Sequence, residues 1–315
     1  MSGGQQKARW LLLGVLCFGN MAEASTPLRV CLEAKSAPFS SDSGPSHGVD
    51  YDVAALVAEA LKRPLAVHWF RASVEEEFPA PLQASWLLSR GSCQLVGGYP
   101  LAQDGLGAAR SAELRSAEPG LPSLTTRLRP LAASRPYLSL PLTLISTTDT
   151  LVRRLDNVVG LRLAVERESL ADAIATVYGG GRLRERIRRL AFGEDAVFQV
   201  LETQAADFAL IEQHRFEIYR SRVPTTRLRE TGYRHVLAVN TGFVGIARPL
   251  LDEVGRALQE LTATGRIAAI VEAYGLSYTA PGKPAILPPL TPRLLAQREA
   301  VHPSPEIERG RVRYP

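Results

Sequence analysis

The sequence predicts an α/β protein made of two successive blocks, each a largely parallel sheet flanked by helices. Strand-like and helix-like segments alternate in the order β-α-β-α-β between residues 28 and 99. The alternation resumes between residues 160 and 211, and an extended apolar stretch over residues 138–145 lies between the two blocks. A chain of 315 residues is long enough for two domains of ordinary size, each with its own core.

The helix predicted over residues 48–61 has the clearest pattern. It follows a predicted strand, and Val53 and Val57 begin an apolar face at helical spacing. Asp50 and Asp52 stand at its start, where carboxylates accept hydrogen bonds from free N–H groups and meet the positive end of the helix dipole. We therefore expect both aspartates to be capping and first-turn residues of this helix and not ligand contacts.

The other elements are predicted from local signals of the same kind. Runs of β-branched, aromatic and other apolar residues predict strands at 28–32, 65–70, 94–99, 160–165, 206–211, 235–239 and 242–247, the last two separated by a turn at Asn240 and Thr241. Apolar periodicity predicts helices at 81–90, 170–175, 195–203, 250–261 and 267–274, the second with Ser169 as its N-cap. The arginine-rich run at 182–189 is typical of a solvated helix face.

Two segments lack a regular period. Residues 101–127 hold several glycines and prolines and are expected to form an inserted surface loop. Residues 277–315 are rich in proline and are expected to form an extended tail, with a short helix near residues 294–301.

The N-terminus has the pattern of a cleaved secretory signal peptide over residues 1–24. Lys7 and Arg9 precede a short apolar run, and an Ala-Glu-Ala cleavage site follows at residues 22–24. Leu16 before Cys17 does not fit a lipoprotein signal, and no later stretch is long and apolar enough for a membrane helix. The pattern predicts a periplasmic protein that is not inserted in a membrane.

Removal of the signal peptide leaves Cys31 and Cys93. Export to an oxidising compartment favours a disulfide between them, and the alternative is a pair of buried free thiols. Two cysteines without a histidine cluster make a poor metal site, and no cofactor motif is present. The net charge of +5 is mild and scattered, which argues against nucleic-acid binding.

Candidate binding residues follow from the predicted strands, since ligands of open α/β sheets bind beyond the carboxyl ends of the strands. Residues at or just after these ends are Glu33, Tyr99, Glu166, Glu168, Ser169 and Glu212. Because carboxylates buried beside an anionic ligand would be costly, we expect a cationic or zwitterionic small ligand, or a basic segment of a protein partner. Ser169 offers its hydroxyl to an acidic group of the ligand, Phe39 and Tyr99 pack on it, and Trp69 and Phe70 are either contacts or core.

Several motifs in order resemble the periplasmic solute-binding proteins of the polar-amino-acid type, often called family 3. They are residues 28–30 with 38–39, Gly-Val-Asp-Tyr-Asp-Val at 48–53, Ser-Arg-Pro-Tyr at 134–137, and the stretches 160–169, 207–212 and 265–275. The resemblance covers residues 28–276 apart from the 101–127 insertion. It implies a type II two-lobed fold with a two-strand hinge and a ligand cleft. Lobe 1 would be residues 25–140 plus 240–276, and lobe 2 residues 145–237.

What the resemblance implies is capture of a small polar solute for the permease of an ABC transporter. Amino-acid binders of the family hold the ligand carboxylate with an arginine from the region that is the insertion here, where Arg127 or Arg129 stands in for it. Arg135 lies inside the Ser-Arg-Pro-Tyr element and is a poor candidate. Glu212 occupies the position where the family often places an aspartate for the ligand's amino group.

A narrower resemblance implies a different function. Residues 29–31 with 38–40, and the run 93–100, resemble a branch of this fold encoded beside pyrroloquinoline-quinone (PQQ) alcohol dehydrogenases, including accessory proteins of methanol oxidation. Its implied partner is a periplasmic quinoprotein dehydrogenase or cytochrome. A few enzymes resembling cyclohexadienyl dehydratases share the fold. The five histidines are not grouped with a nucleophile, so we predict no catalytic residue and no enzyme.

Overall fold

The computed structural model describes residues 26–71, 80–106, 113–114, 126–191 and 195–295. The predicted signal peptide, much of the 101–127 segment and the end of the tail lie outside the described residues. Within those ranges, no helix is long and apolar enough to cross a membrane. The same ranges hold no group of three or more histidine, cysteine, aspartate or glutamate side chains that could bind a metal ion.

The secondary structure follows the predicted alternation of strands and helices. The strands are β1 (Leu28–Glu33), β2 (Lys35–Ser36), β3 (Ser40–Ser41), β4 (Leu65–Phe70), β5 (Leu95–Pro100), β6 (Glu113–Leu114), β7 (Thr126–Arg127), β8 (Ala132–Ala133), β9 (Leu138–Ser146), β10 (Leu163–Glu166), β11 (Ile187–Leu190), β12 (Phe208–Glu212) and β13 (Arg229–Gly245). The helices are α1 (Val49–Ala60), α2 (Ala80–Ser89), α3 (Gln103–Leu106), α4 (Leu170–Gly181), α5 (Ala196–Glu202), α6 (Gln213–Arg222), α7 (Arg248–Ala263), α8 (Arg266–Ala273) and α9 (Pro292–Leu295).

Two long strands join two lobes. The main path of the sheet has the order β11-β10-β12-β9-β13-β5-β1-β4. Lobe 1 is the β5-β1-β4 end and lobe 2 the β11-β10-β12 end, and the parallel pairs are β1 with β4 and β5, and β10 with β11 and β12. β9 and β13 pair antiparallel with one another between these ends. The predicted α/β class and the two-strand hinge are confirmed.

Each lobe buries an apolar core on both faces of its part of the sheet. In lobe 1, β1 packs against α1, α7 and α8 on one face and against α2 on the other. In lobe 2, β10 and β12 pack against α4 on one face and against α5 and α6 on the other. The parallel strands are therefore covered on both sides, as such strands require.

A disulfide joins Cys31 to Cys93, as predicted. β1 and β5 are parallel neighbours in the sheet, with Val30 opposite Leu95. The Cα atoms of the two cysteines are 5.6 Å apart, within the range that a disulfide spans. The bridge lies in the core under α2, so it ties the start of the chain to the third strand of lobe 1.

Two local predictions are wrong in lobe 2 and at the hinge. The turn expected at Asn240 and Thr241 does not form, because β13 runs without a break over both and pairs with β9 on one edge and β5 on the other. The arginine-rich run is not a helix. It forms a short 3-10 turn, Arg184–Arg186, and then the edge strand β11, which pairs with β10. Pairing with the sheet outweighed the helix propensity of the arginines.

Asp50 and Asp52 lie in the first turn of α1, as predicted, but the expected capping by their side chains is wrong. The N-cap is Gly48, and no side chain caps it. The N–H groups of Val49 and Asp50 instead donate to the main-chain oxygens of Pro38 and Phe39, at 3.0 and 2.8 Å. Gly48 has φ near +98°, and a Cβ there would overlap the Phe39 carbonyl. The turn between β2 and β3 therefore caps α1 with its carbonyl groups.

Candidate functional site

The carboxyl ends of the parallel strands in the two lobes face one another. Phe39 lies in the turn between β2 and β3 of lobe 1, shortly after β1, and His214 lies in the first turn of α6, directly after β12 of lobe 2. Their rings meet edge to face with centroids 5.0 Å apart. The edge predicted to bind ligand in each lobe is thus turned toward the other lobe.

Lobe 1 contributes two carboxyl groups at this edge. Glu33 ends β1, and burial raises its pKa. Asp50, in the first turn of α1, is 5% exposed. Burial, with a smaller contribution from the charge of Glu33, raises the pKa of Asp50 to about 7, against the lowering effect of a hydrogen bond from Tyr137. The two acids are close enough to repel each other when both are ionised.

Lobe 2 contributes a second pair of acids with a cation beside them. Glu166 ends β10 and is 3% exposed, and its Oε1 lies 2.8 Å from a guanidinium nitrogen of Arg215 on α6. Glu212 ends β12. Burial and then the charge of Glu166 raise the pKa of Glu212 to about 7, while Arg215 acts in the opposite direction. The positive charge of Arg215 therefore neutralises the negative charge of Glu166 more fully than that of Glu212.

His214 is neutral at physiological pH. Burial, and then the positive charge of Arg215, lower its pKa to about 3. Its Nε2 lies 3.5 Å from Oε2 of Glu212, and its buried Nδ1 has no hydrogen-bond partner among the residues that the structure describes. This imidazole supplies no charge to offset Glu212.

Ser169 is confirmed as the N-cap of α4. Its hydroxyl oxygen accepts a hydrogen bond from Asp172 N at 3.1 Å, and its hydroxyl donates to Glu166 O at 2.7 Å. These bonds fix the turn that carries Glu166 to the end of β10. Glu168, between them, is exposed and adopts a positive φ.

The other residues considered as ligand contacts lie in different parts of the structure. Tyr99 is buried in the core under α2, and its hydroxyl donates to Gly105 O at 2.9 Å, away from the acids described above. The backbone of Arg127 pairs with Glu113, and its side chain lies outside the described residues. Arg129 is exposed, and the side chain of Arg135 covers Gly255 on α7.

The open space in the structure and the buried acids described above lie in different places. The cavity between the lobes, lined by Phe39, His214 and Glu217, is only about 10 Å³. A groove of about 740 Å³ lies in lobe 2, lined by Thr148, Leu151 and other residues around the amino ends of β10 and β12. We place the candidate site at the interlobe acids, because binding at strand carboxyl ends and shifted pKa values both point there.

Sequence reasoning missed Asp50, His214 and Arg215. A signal for Asp50 was present, because it lies one turn before Val53 on the apolar face of α1, which predicts burial. His214 and Arg215 lie on α6, a helix too polar to show an apolar period.

No family model matches the sequence, and no curated protein matches it. Solved structures do resemble the fold. The L-cystine solute receptor of Neisseria gonorrhoeae, in its unliganded open conformation, superposes with a TM-score of 0.56 at 17% identity over 82% of this chain and 96% of that one. The GluR0 ligand-binding core complexed with L-glutamate gives 0.56 at 18% identity over 80% and 99%. A histidine kinase sensor domain similar to periplasmic binding proteins gives 0.55 at 15% identity over 82% and 99%.

These similarities and the sheet topology define the class of the protein. It has the two-lobed α/β fold of periplasmic-binding-protein-like domains. The three structures are named as a solute receptor, a ligand-binding core and a sensor domain. At such identities the likeness establishes the fold alone.

Proposed function

We propose that this protein is a periplasmic solute-binding protein of the family 3 type that captures a small polar solute bearing a positive charge. The solute binds between the lobes and is handed to the permease of an ABC transporter. The observation that carries this proposal is the set of facing carboxyl groups, Glu33 and Asp50 from lobe 1 and Glu166 and Glu212 from lobe 2.

The charge of these groups favours a cation. Arg215 lies against Glu166, so Glu33 and Glu212 carry the negative charge that a ligand would meet. An ammonium group between the lobes would favour the ionised form of each acid and lower its pKa. Ligand binding would thereby relieve the repulsion between the two acids of each lobe.

Phe39 and Ser169 complete the proposed contact set. Phe39 already contacts lobe 2 through His214 and can pack on the apolar part of a ligand. Ser169 keeps its hydroxyl on the turn of α4, so its part is to position Glu166 and the free N–H groups of that helix. The signal-peptide pattern and the disulfide support a periplasmic location.

A thermal-shift screen tests the proposal. Arginine, lysine, small diamines, glutamine and glutamate are each added at about 1 mM, where a ligand that binds only the folded state raises Tm in proportion to RT ln(1 + [L]/Kd). We expect one or more amines to raise Tm and glutamate to have no effect. Stabilisation by glutamate and not by amines would overturn the charge argument.

Site-directed variants locate the binding. Glu212→Gln should weaken binding of the amine at least about tenfold in calorimetric titration, because a charge-assisted hydrogen bond is lost. Glu185→Gln is the matched control, since it makes the same change on an exposed side chain of the same lobe, on the Arg184–Arg186 turn. Equal effects of the two variants would remove Glu212 from the site.

The accessory role beside a PQQ dehydrogenase is the competing function. The cysteine pair and the Ser-Arg-Pro-Tyr element fit it, and it makes the opposite prediction in the same screen. A chain that responds to no solute but co-purifies with a quinoprotein dehydrogenase or a cytochrome would replace the transport proposal.

A further inference from the structure

The tail after α8 crosses both hinge strands instead of extending into solvent. Thr279 O accepts a hydrogen bond from Ser139 N of β9 at 3.0 Å. The side-chain nitrogen of Asn240, on β13, lies 3.1 Å from the carbonyl oxygens of three tail residues, Gly282, Pro284 and Ala285. Asn240 is 3% exposed, so the tail covers this point of the hinge.

Beyond β13 the tail is held by lobe 1. Leu287 N donates to Leu101 O, and Leu287 O accepts from Gln103 N, both at 2.8 Å. These bonds form a short parallel bridge centred on Ala102, the second residue after β5. Leu101 N in turn donates to Asn240 O at 2.8 Å, so the same few residues join the tail, lobe 1 and the hinge.

The tail then enters the core of lobe 2. Leu287 and Leu295 are each 4% exposed and pack in the apolar cluster that includes Leu142 and Tyr233. α9, which ends at Leu295, packs against α4. At its other end, Ser277 N donates to Oε2 of Glu217 on α6 at 3.1 Å. One segment therefore contacts lobe 2 on both faces of its sheet.

We propose that residues 277–295 form a strap that holds the lobes at a fixed angle and must detach from lobe 2 before they open. The strap is a third connection between lobes that β9 and β13 already join. Bending at Ser139 and Asn240 moves lobe 2 relative to the α8 end of the strap, so the anchors at Leu287, Leu295 and Glu217 cannot all persist.

Two leucines in the tail give a matched test. Leu287→Ala removes a buried anchor, whereas Leu290→Ala makes the same change at a side chain that is 39% exposed. We expect the Leu287 variant to show a larger radius of gyration by small-angle X-ray scattering. Its amides at residues 101–103 should exchange hydrogen at least about tenfold faster, since local opening becomes less costly. The Leu290 variant should match the parent protein in both measurements.

Asn240→Ala provides a second, independent variant. It removes the strap's polar attachment to β13 without touching the lobe 2 core, and it should also raise the radius of gyration. If both variants melt cooperatively and keep the parent's radius of gyration and exchange rates, the strap proposal is overturned. A larger radius with unchanged amine binding would support the strap and leave the proposed function to its own test.

Discussion

The hydroxyl of Tyr137 donates a 2.6 Å hydrogen bond to Oδ1 of Asp50, so the residue before β9 is tied to the first turn of α1. The same hydroxyl oxygen accepts a hydrogen bond from Gly98 N at 3.0 Å. Tyr137 is fully buried and Asp50 nearly so. A buried polar network of this kind links the start of the hinge to the acidic edge of lobe 1.

The first prediction concerns the pH dependence of stability through Asp50. Its pKa is about 7 in the folded protein against an ordinary value of 3.8, so the folded state holds an extra proton between these pH values. The free energy of unfolding should therefore fall as pH rises through this window, by up to about 1.4 kcal/mol per pH unit. The Asp50→Asn variant lacks this pH-dependent contribution to stability. The Tm of the variant minus that of the parent should therefore increase from pH 5 to pH 8.

The comparison between parent and variant isolates Asp50. Burial lowers the pKa of His214 to about 3 and that of His235 to about 4, so these residues add a stability term that is lost as pH falls below 6.5. Both proteins contain these histidines, and their contribution cancels in the difference. A difference in Tm between parent and variant that stays constant across the pH range would show that Asp50 is ionised throughout.

The second prediction uses two glycines that both have a positive φ. Gly98 has φ of +67°, and a Cβ there would overlap the carboxylate of Asp50, whereas Gly91 has φ of +76° and open space around it. Both alanine variants incur the strain of a positive φ, about 1–3 kcal/mol, and only Gly98→Ala also displaces a buried carboxylate. We expect a clearly larger loss of unfolding free energy for Gly98→Ala in denaturant titration. Equal losses would mean that Asp50 moves aside freely.

The third prediction concerns the disulfide. Cys31 and Cys93 are buried and are separated by 62 residues in sequence. Replacing both by alanine should lower the free energy of unfolding by about 2–4 kcal/mol, because the bridge restricts the unfolded chain. A reductant should lower the Tm of the parent and leave that of the double variant unchanged. A parent that is insensitive to reductant under unfolding conditions would contradict the bridge.

The fourth prediction concerns the pH dependence of ligand binding. Because the pKa of Glu212 is about 7, a cationic ligand meets a neutral carboxyl group in acid and a carboxylate in base. Affinity for the amine found by the screen should rise between pH 5.5 and pH 8 and level off above that. Glu212→Gln should flatten the curve, while Glu185→Gln, a change at an exposed side chain of the same lobe, should keep it. A flat curve for the parent would exclude Glu212 as the titrating contact.

Much of the fold was predictable because most strands and helices have a recognisable pattern in the local sequence. β1, α1, β4, β5, α7 and α8 were all expected within a few residues of their observed bounds, since each has a clear apolar period or run. The disulfide was predicted from export and the remaining cysteine pair, and the parallel pairing of β1 with β5 brings the two cysteines together. The misses, such as the continuity of β13 and the strand β11, occur where sheet pairing outweighs local preference.

The sequence by itself determined the α/β class, the two blocks, the cysteine pair and the acids at the strand ends, because these depend on side-chain type and near neighbours. Tertiary structure alone decided that Asp50 is buried against Tyr137 and not a cap, that Arg215 compensates Glu166, and that the tail crosses the hinge. Each of these contacts joins residues far apart in the chain, and such partners have no local signature. A carboxylate's charge, and a leucine's role as core or surface, depend on those distant partners.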